Sequence, residues 1–143
     1  MFDTFSERIV RIDKITLKTP RPRDIGYNSL KGAHGTTVVD PLIRIHAEGG
    51  TVGVGWSRVD RRNAEELLGK PVSDLFRLPD GVLEAGRSVD LPLWDLAAKM
   101  EGKPLYQLLG ARGWREIELY DSTIYIDDLK ANDKEAVEIF RDE

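Results

Sequence analysis

The stretch EGGTVGVGWSRVDRR, residues 48–62, combines four glycines with three arginines, and two kinds of binding chemistry use such a combination. Successive backbone N–H groups of a glycine-rich loop can wrap a phosphate, and an arginine guanidinium can hold a carboxylate through two parallel hydrogen bonds. The same glycines are also typical of the turn and second strand of a β-hairpin. A phosphate-binding loop would predict a nucleotide-binding protein, whereas a hairpin would not.

The order of the glycines favours the hairpin. A dinucleotide-binding loop has the pattern GxGxxG and opens a helix, whereas here the order is GxxGxG and the following WSRV does not begin a helix. The Gly-Lys-Ser/Thr of a P-loop is also missing. The glycine pair at 49–50 separates two strand-like runs, residues 37–47 and 51–59, so we predict a two-residue hairpin turn there. Gly53 and Gly55 then share one face of the second strand, where a neighbouring group must approach closely.

Hydrophobic periodicity and the positions of glycine and proline predict the remaining elements. Residues 8–17 form a strand, and the Pro- and Gly-rich residues 18–36 form a long loop. We predict a helix capped by Asn63 and ended by Gly69 and a short helical turn at 73–78. Residues 82–89 form either another turn or the start of one long helix interrupted by Pro92; alternatively Asp90 caps a helix that ends at Gly102 and has an apolar face of Leu93, Leu96, Ala97 and Met100. A short helix between Pro104 and Gly110, a strand at 117–126 and a helix after it complete the prediction.

Composition narrows the class of protein. The 143 residues are the length of one ordinary domain, and they include no cysteine, which excludes disulfides and thiolate chemistry. The formal net charge of −4 argues against general nucleic-acid binding. No apolar run reaches the roughly 18 residues of a membrane helix. We therefore expect a cytoplasmic protein with neither nucleic acid nor a membrane among its partners.

Two stretches resemble motifs of a known enzyme family. GVGWS, residues 53–57, is similar to GxGWGE at the end of the family's third strand, and LPLWDLAAKMEGKPLYQLLGA, residues 91–111, is similar to ALWDLxGKxxGxPxYxLLG. The matching positions of the second motif are Trp94, Asp95, Leu96, Lys99, Gly102, Pro104, Tyr106, Leu108, Leu109 and Gly110. On these motifs the chain resembles the mandelate racemase/muconate lactonizing branch of the enolase superfamily. It departs from the family pattern after Trp56, where Ser57 and Arg58 follow and the family's usual Glu is replaced, and also at Pro92 and Asp121.

The resemblance implies an α+β fold. Residues 1–113 would form the family's N-terminal capping domain, a three-stranded antiparallel meander plus helices. Residues 114–143 would contribute the first strand and part of the first helix of a truncated (β/α) barrel. The complete enzymes, racemases or acid-sugar dehydratases, abstract a proton next to a carboxylate, and Mg²⁺ stabilises the enediolate that results. Their magnesium ligands and acid/base residues lie on later barrel strands, so we expect neither catalytic residues nor metal ligands in this chain.

The resemblance also implies partners. The chain would not be catalytic alone and would need the remainder of the barrel, either as a separate chain or in a longer parent protein, together with a carboxylate or sugar-acid substrate. We also expect a homo-oligomer. The alternative is a non-catalytic binding or interaction module derived from the same family. Adjacent carboxylates at Asp127 and Asp128 are more typical of a turn than of a metal site.

Four residues are candidates for substrate binding. In the family, two capping-domain loops close over the substrate, and by position these would be residues 18–36 and 55–62. Arg58, Arg61 and Arg62 suit a carboxylate, and Arg58 and Arg61 are the candidates, although at least two of the three are expected to be merely solvated. Tyr27 is either an aromatic lid or an anchor of its loop, and His34 is either a hydrogen-bond donor to the ligand or an exposed loop residue. His46, on a strand, is predicted to be structural.

Overall fold

The computed structural model describes residues 5–22, 24, 26–28, 30, 32–113 and 116–119. The chain divides into two compact units, Met1–Leu17 with Val39–Gly113 and Lys18–Val38 with Trp114–Glu143. Most of the strand predicted at 117–126, and all of the helix after it, lie outside the described residues. Residues 116–119 have no regular secondary structure.

The described residues form strands, α-helices and 3₁₀ helices of different lengths. The strands are β1 (Ile9–Pro20), β2 (Tyr27–Asn28), β3 (Gly32–Ala33), β4 (Thr37–Ala47), β5 (Val52–Trp56), β6 (Phe76–Arg77) and β7 (Gly81–Val82). The helices are α1 (Arg61–Leu67), α2 (Asp90–Met100) and α3 (Leu105–Leu108), and 3₁₀ helices lie at Val72–Asp74 and Glu84–Val89. No helix in these ranges combines the length and apolar character that a membrane crossing needs.

An antiparallel three-stranded sheet in the order β1-β4-β5 forms the centre of the first unit, as predicted. The loop between β4 and β5 is a hairpin, because Ala47 N donates to Thr51 O at 2.9 Å and Gly50 N donates to Ala47 O at 2.9 Å. The turn nevertheless contains three residues, 48–50, and the two-residue prediction was wrong. Gly50 has a φ of 90°, so the third loop position adopts the left-handed conformation that closes such a loop.

Strand β4 divides its side chains between two faces, as its alternation predicts. Ile43, Ile45 and Ala47 are buried and belong to the hydrophobic core, whereas Arg44 and His46 lie on the opposite face. The core is completed by residues of α2, the 3₁₀ helices and α1. Burial of apolar surface between this sheet face and the helices is therefore the main source of stability of the unit.

Helix α2 packs against the sheet with the apolar face predicted for it. Leu93, Leu96 and Ala97 are fully buried, and Met100 is half-buried against the same core. Trp94, which follows Leu93 in the motif, contacts the ring of Phe76 edge-on, with ring centroids 4.8 Å apart.

The glycines of β5 allow the backbone of α2 to approach the strand directly. Gly53 pairs with Ile45 and Gly55 with Ile43, so both glycines lie on the core side of the sheet. A Cβ atom at Gly53 would overlap the carbonyl oxygen of Pro92, and one at Gly55 would lie 2.7 Å from the Pro92 nitrogen. The glycine-rich stretch therefore serves helix–strand packing rather than phosphate binding.

Two local predictions were wrong. The N-cap of α1 is Asp60 rather than Asn63, because the Asp60 carboxylate accepts a hydrogen bond from Asn63 N at 2.8 Å and so starts the helix earlier. Residues 73–78 do not form a helical turn throughout. The 3₁₀ helix ends at Asp74, and β6 pairs with β7 in a small hairpin in which Phe76 is fully buried. The short helix after Pro104 is present as α3.

In the second unit, the segment predicted as a long loop contains a small hairpin. Tyr27 of β2 pairs with Ala33 of β3 in antiparallel register. The backbone N–H of His34 donates to Gly26 O at 2.9 Å and extends this pairing. A hydrogen bond from Arg21 N to Thr36 O, at 2.8 Å, joins the two ends of this segment.

A polar cluster covers part of the sheet face opposite the core. Asp13 Oδ2 lies 2.9 Å from His46 Nε2 and 3.3 Å from Arg44 Nη2, and Asp13 Oδ1 accepts a hydrogen bond from Arg11 Nε at 2.7 Å. The hydrogen bond from Arg11 lowers the pKa of Asp13 below its ordinary value, partial burial opposes the shift, and the His46 hydrogen bond adds to it. His46 thus has a structural contact, as predicted.

We expect Gly53→Ala to lower the free energy of unfolding by about 2 kcal/mol, within the range measured for overpacked cores. The added methyl group collides with the backbone of α2, which cannot rotate away. Urea unfolding followed by circular dichroism measures the loss. The control is Gly49→Ala, whose Cβ meets only the carboxylate end of the flexible Glu7 side chain. Equal losses in the two variants would contradict the close helix–strand contact.

The Asp13 cluster should make stability depend on pH at the acid end. Because the folded-state pKa of Asp13 is lowered, its stabilisation is fully present above the ordinary value of 3.8 and is lost as pH falls through the folded-state value. The difference in unfolding free energy between the wild type and Asp13→Asn should therefore be constant from about pH 7 to pH 5 and shrink below about pH 4. Urea unfolding at each pH measures this difference. A difference that does not change with pH would contradict the interpretation.

Candidate functional site

An open pocket of about 370 Å³ lies in the first unit, where β1, β4 and the segment after β5 meet. Its walls combine cationic, hydroxyl and apolar side chains with one carboxylate. The lining residues are Lys14, Thr16, Val39, Pro41, Arg58, Val59 and Asp60. The volume lies at the lower end of the range typical of small-molecule sites.

Two cations in this pocket are free to bind an anion. Neither the Lys14 side chain nor the Arg58 side chain makes a hydrogen bond or an ion pair with any residue that the structure describes. The Asp60 carboxylate is instead engaged with α1, since it accepts hydrogen bonds from Asn63 N at 2.8 Å and Asn63 Nδ2 at 3.3 Å. A carboxylate or phosphate entering the pocket would therefore meet two unpaired positive charges.

The segment that carries Arg58 is fixed at both ends. On one side, Ser57 N donates to Pro41 O at 3.3 Å, and Ser57 Oγ donates to the carbonyl oxygen of Ser88. On the other side, Asp60 is the N-cap of α1. Arg58 and Val59 lie between these two anchors, so their backbone is held in place before any ligand arrives. Ser57, which replaces the glycine of the motif, thus has a structural contact in this chain.

The apolar wall of the pocket comes from both strands and from the anchored segment. Val39 and Pro41 belong to β4, and Val59 follows Arg58. Thr16 of β1 adds a hydroxyl group that can donate or accept a hydrogen bond. Polar groups beside an apolar wall suit a ligand with an anionic end and a chain of carbons and hydroxyls.

The structure places the four predicted binding residues differently. Arg58 lines the pocket. Arg61 does not line it: its side chain is 92% exposed, and Arg61 Nε donates to Glu65 Oε1 at 2.7 Å on α1. His34 and Tyr27 belong to the second unit, where their backbones take part in the β2–β3 hairpin. That these residues bind substrate stays a prediction.

Sequence reasoning missed Thr16, and it counted Lys14 among the basic residues of 8–31 without selecting it as a binding residue. Both alternate along β1 with residues on the opposite face, and this alternation is visible in the sequence. What the sequence lacks is the strand order that places β1 beside β4, so that both residues line one pocket with Arg58. Once β1 and β4 are known to be neighbours, the free cation Lys14 becomes a candidate partner of Arg58.

The described part of the chain contains no group of side chains that could form a metal site. No three His, Asp or Glu side chains there gather closely enough to hold a metal ion. Asp13 and His46 are close together, but their other neighbours are the cations Arg11 and Arg44, which oppose a bound cation.

Comparison with known proteins places the chain in a family. No protein-family model matches the sequence. An L-rhamnonate dehydratase of Saccharopolyspora erythraea is 31% identical over 127 residues, an alignment that covers 73% of this chain and 33% of that protein. The chain thus spans about a third of the length of this relative.

Two solved structures from Geobacillus share the fold. A mandelate racemase/muconate lactonizing protein, complexed with magnesium and tartrate, is 28% identical with a TM-score of 0.77, and the match covers 96% of this chain and 38% of that chain. A galacturonate dehydratase, complexed with D-galacturonate and 5-keto-4-deoxy-D-galacturonate, is 28% identical with a TM-score of 0.74, and the match covers 96% of this chain and 37% of that chain. The chain belongs to the enolase superfamily and corresponds to the N-terminal part of a mandelate racemase/muconate lactonizing enzyme-type protein.

Proposed function

We propose that the chain is the capping and specificity portion of a magnesium-dependent enolase-superfamily enzyme that acts on a sugar acid. In this proposal residues 1–113 form the capping domain and residues 114–143 begin the barrel. The catalytic residues and metal ligands come from the remainder of the barrel, in a longer parent protein or a separate chain. The complete protein is a racemase or an acid-sugar dehydratase.

The observation that carries the proposal is the pair of unpaired cations, Lys14 and Arg58, in the pocket. A sugar acid has a carboxylate at one end and hydroxyl groups along a short carbon chain. The Arg58 guanidinium matches a carboxylate with two parallel hydrogen bonds, and the Lys14 ammonium adds a second positive charge. The Thr16 hydroxyl suits a sugar hydroxyl. Relatives of this chain include enzymes that act on rhamnonate and galacturonate, which are such acids.

The contribution of this chain is to bind, orient and enclose the substrate. Proton abstraction next to a carboxylate develops negative charge on that carboxylate, and Mg²⁺, when bound in the complete enzyme, supplies the charge that stabilises it. Solved relatives contain magnesium. In this proposal the described residues hold the substrate and exclude water.

The other predicted binding residues extend the proposal to a second loop. His34 and Tyr27 lie in the β2–β3 segment of the second unit, and Arg61 lies in the first turn of α1. We assign to His34 a hydrogen bond to a substrate hydroxyl or carboxylate, and to Tyr27 a place in the lid. Arg61 would have to leave Glu65 before it binds a substrate.

The pocket is tested by removing its cations in the complete enzyme. Loss of a charge-assisted hydrogen bond costs about 1.5–3 kcal/mol, so Arg58→Ala should raise KM for D-galacturonate or L-rhamnonate by roughly 10- to 100-fold. Lys14→Ala and His34→Ala should impair turnover less strongly, and all three variants should keep the wild-type circular dichroism spectrum. Steady-state kinetics with Mg²⁺ measures the changes.

The matched control is Arg62→Ala, because Arg62 is paired with Glu66 on α1 at 3.2 Å and does not line the pocket. Unchanged kinetics in Arg58→Ala and Lys14→Ala would remove the pocket from the substrate site. Intact mass spectrometry under native and denaturing conditions identifies a barrel chain that travels with this one. Sugar-acid binding without any magnesium-dependent turnover in the completed protein would favour the non-catalytic module.

A further inference from the structure

Two polar residues of the long motif, Asp95 and Lys99, have no place in the pocket. They lie four residues apart on α2, and Lys99 Nζ is 2.6 Å from Asp95 Oδ2. Both side chains are partly exposed. Each side chain also makes a hydrogen bond to the backbone of β5.

Strand β5 is an edge of the three-stranded sheet, so half of its backbone groups point away from β4. The bond from Ala47 N to Thr51 O fixes which half this is. Because paired residues alternate between hydrogen-bonded and non-hydrogen-bonded positions, Gly53 and Gly55 bond to β4. The N–H and C=O groups of Val52, Val54 and Trp56 therefore lie on the free edge.

Asp95 and Lys99 occupy this edge. Asp95 Oδ2 accepts a hydrogen bond from Val54 N at 2.7 Å, and Lys99 Nζ donates to Val52 O at 2.9 Å. Asp95 thus occupies the Val54 N–H, and Lys99 occupies the carbonyl oxygen of Val52. A further strand would pair with these same two backbone groups. Together with their own ion pair, the two side chains bridge Val52 and Val54 as an added strand would.

The position of α2 explains how the Asp95 and Lys99 side chains reach the backbone of β5. The helix backbone rests directly on the core face of Gly53 and Gly55, since a Cβ atom at either position would collide with it. This close contact brings the helix near enough to the strand for Asp95 and Lys99 to pass around the edge.

We propose that Asp95 and Lys99 form a clip that keeps the β5 edge closed to a second copy of this chain. An unprotected edge strand is a template for strand addition, and proteins commonly block such edges with charged side chains. The apolar character of β5 makes protection necessary here, because Val54 and Trp56 are exposed beside the free edge. When the clip is removed, β5 becomes a surface on which a second β5 pairs.

The test uses the absence of cysteine from the whole chain, which makes a single introduced cysteine a clean reporter. In Asp95→Ala combined with Val54→Cys, pairing of two β5 strands brings the residue 54 side chains together, and mild oxidation should give a disulfide-linked dimer. We expect at least about tenfold more dimer than in Val54→Cys alone, together with concentration-dependent association in sedimentation velocity. At a concentration at which Asp95→Ala without the cysteine is still monomeric, its Val54 amide should exchange hydrogen faster than in the wild type, because it has lost its acceptor.

The matched control is Glu66→Ala with Val54→Cys, which removes the acid of an i,i+4 ion pair on α1 that does not touch β5. It should cross-link no more than Val54→Cys alone. A second check is Asp95→Ala with Val54→Lys, in which a charge on the edge strand should restore the wild-type association state. If circular dichroism shows that Asp95→Ala is unfolded, Lys99→Met with Val54→Cys carries the same readout, because it frees Val52 O alone.

The proposal is overturned by a folded Asp95→Ala or Lys99→Met variant that keeps the wild-type association state and does not cross-link. Equal cross-linking in the Glu66→Ala control would overturn it as well, since association would then follow loss of a surface ion pair rather than opening of the edge. Neither result depends on sugar-acid binding, so this test and that of the proposed function fail independently.

Discussion

The contact between the backbone of α2 and strand β5 is the constraint on which much of the first unit depends. Two glycines on the core face of the strand leave no side chains there, and the helix fills the space with its own backbone around Pro92. The contact seals the core beside Ile43 and Ile45, because these residues pair with the glycines. Helices and sheets usually meet through layers of side chains, so this replacement of one layer by direct backbone contact makes the geometry unusually intolerant of added volume.

The pocket depends on the same arrangement through a short connection. Ser57 directly follows β5 and donates a hydrogen bond to Ser88, just before α2 begins. The segment that carries Arg58 is therefore attached both to the sheet and to the start of the packed helix, and α1 takes up its far end through Asp60. Lys14 reaches the site from β1, on the other side of β4. A pocket assembled in this way from three neighbouring elements places its cations without a ligand to hold them.

The sequence predicts elements with strong local patterns and fails where tertiary contacts choose between local alternatives. Strand β4 and helix α2 follow from their alternation and apolar spacing, and the two motifs carry the family. Asn63 and Asp60 are both good capping residues, and only the structure shows which of them accepts the first backbone hydrogen bond. Phe76 looked helical because its neighbours are, but its burial against Trp94 and Phe5 favours a hairpin instead.

The candidate site shows the same division. Arg58 was found because its residue type and position after the third strand suit a carboxylate. Lys14 was not selected, because its relation to Arg58 is created by strand order, which is a property of distant parts of the chain. The exposed pairing of Arg61 with Glu65 is visible as an i,i+4 pattern, yet it becomes meaningful only when the start of α1 is known.

In residues 57–60, the residues that hold the segment in the fold are different from the residue that faces a ligand. Folding requires the anchors, Ser57 and Asp60, whereas the two residues between them carry neither a cap nor a hydrogen bond to a neighbouring element within the described structure. Exchange of Arg58 therefore alters the chemistry presented to a ligand at little cost to the scaffold, whereas Val59 is buried in the hydrophobic core. Such a position lets a family diversify its substrates by single substitutions, and it is the natural place to begin a library for altered specificity.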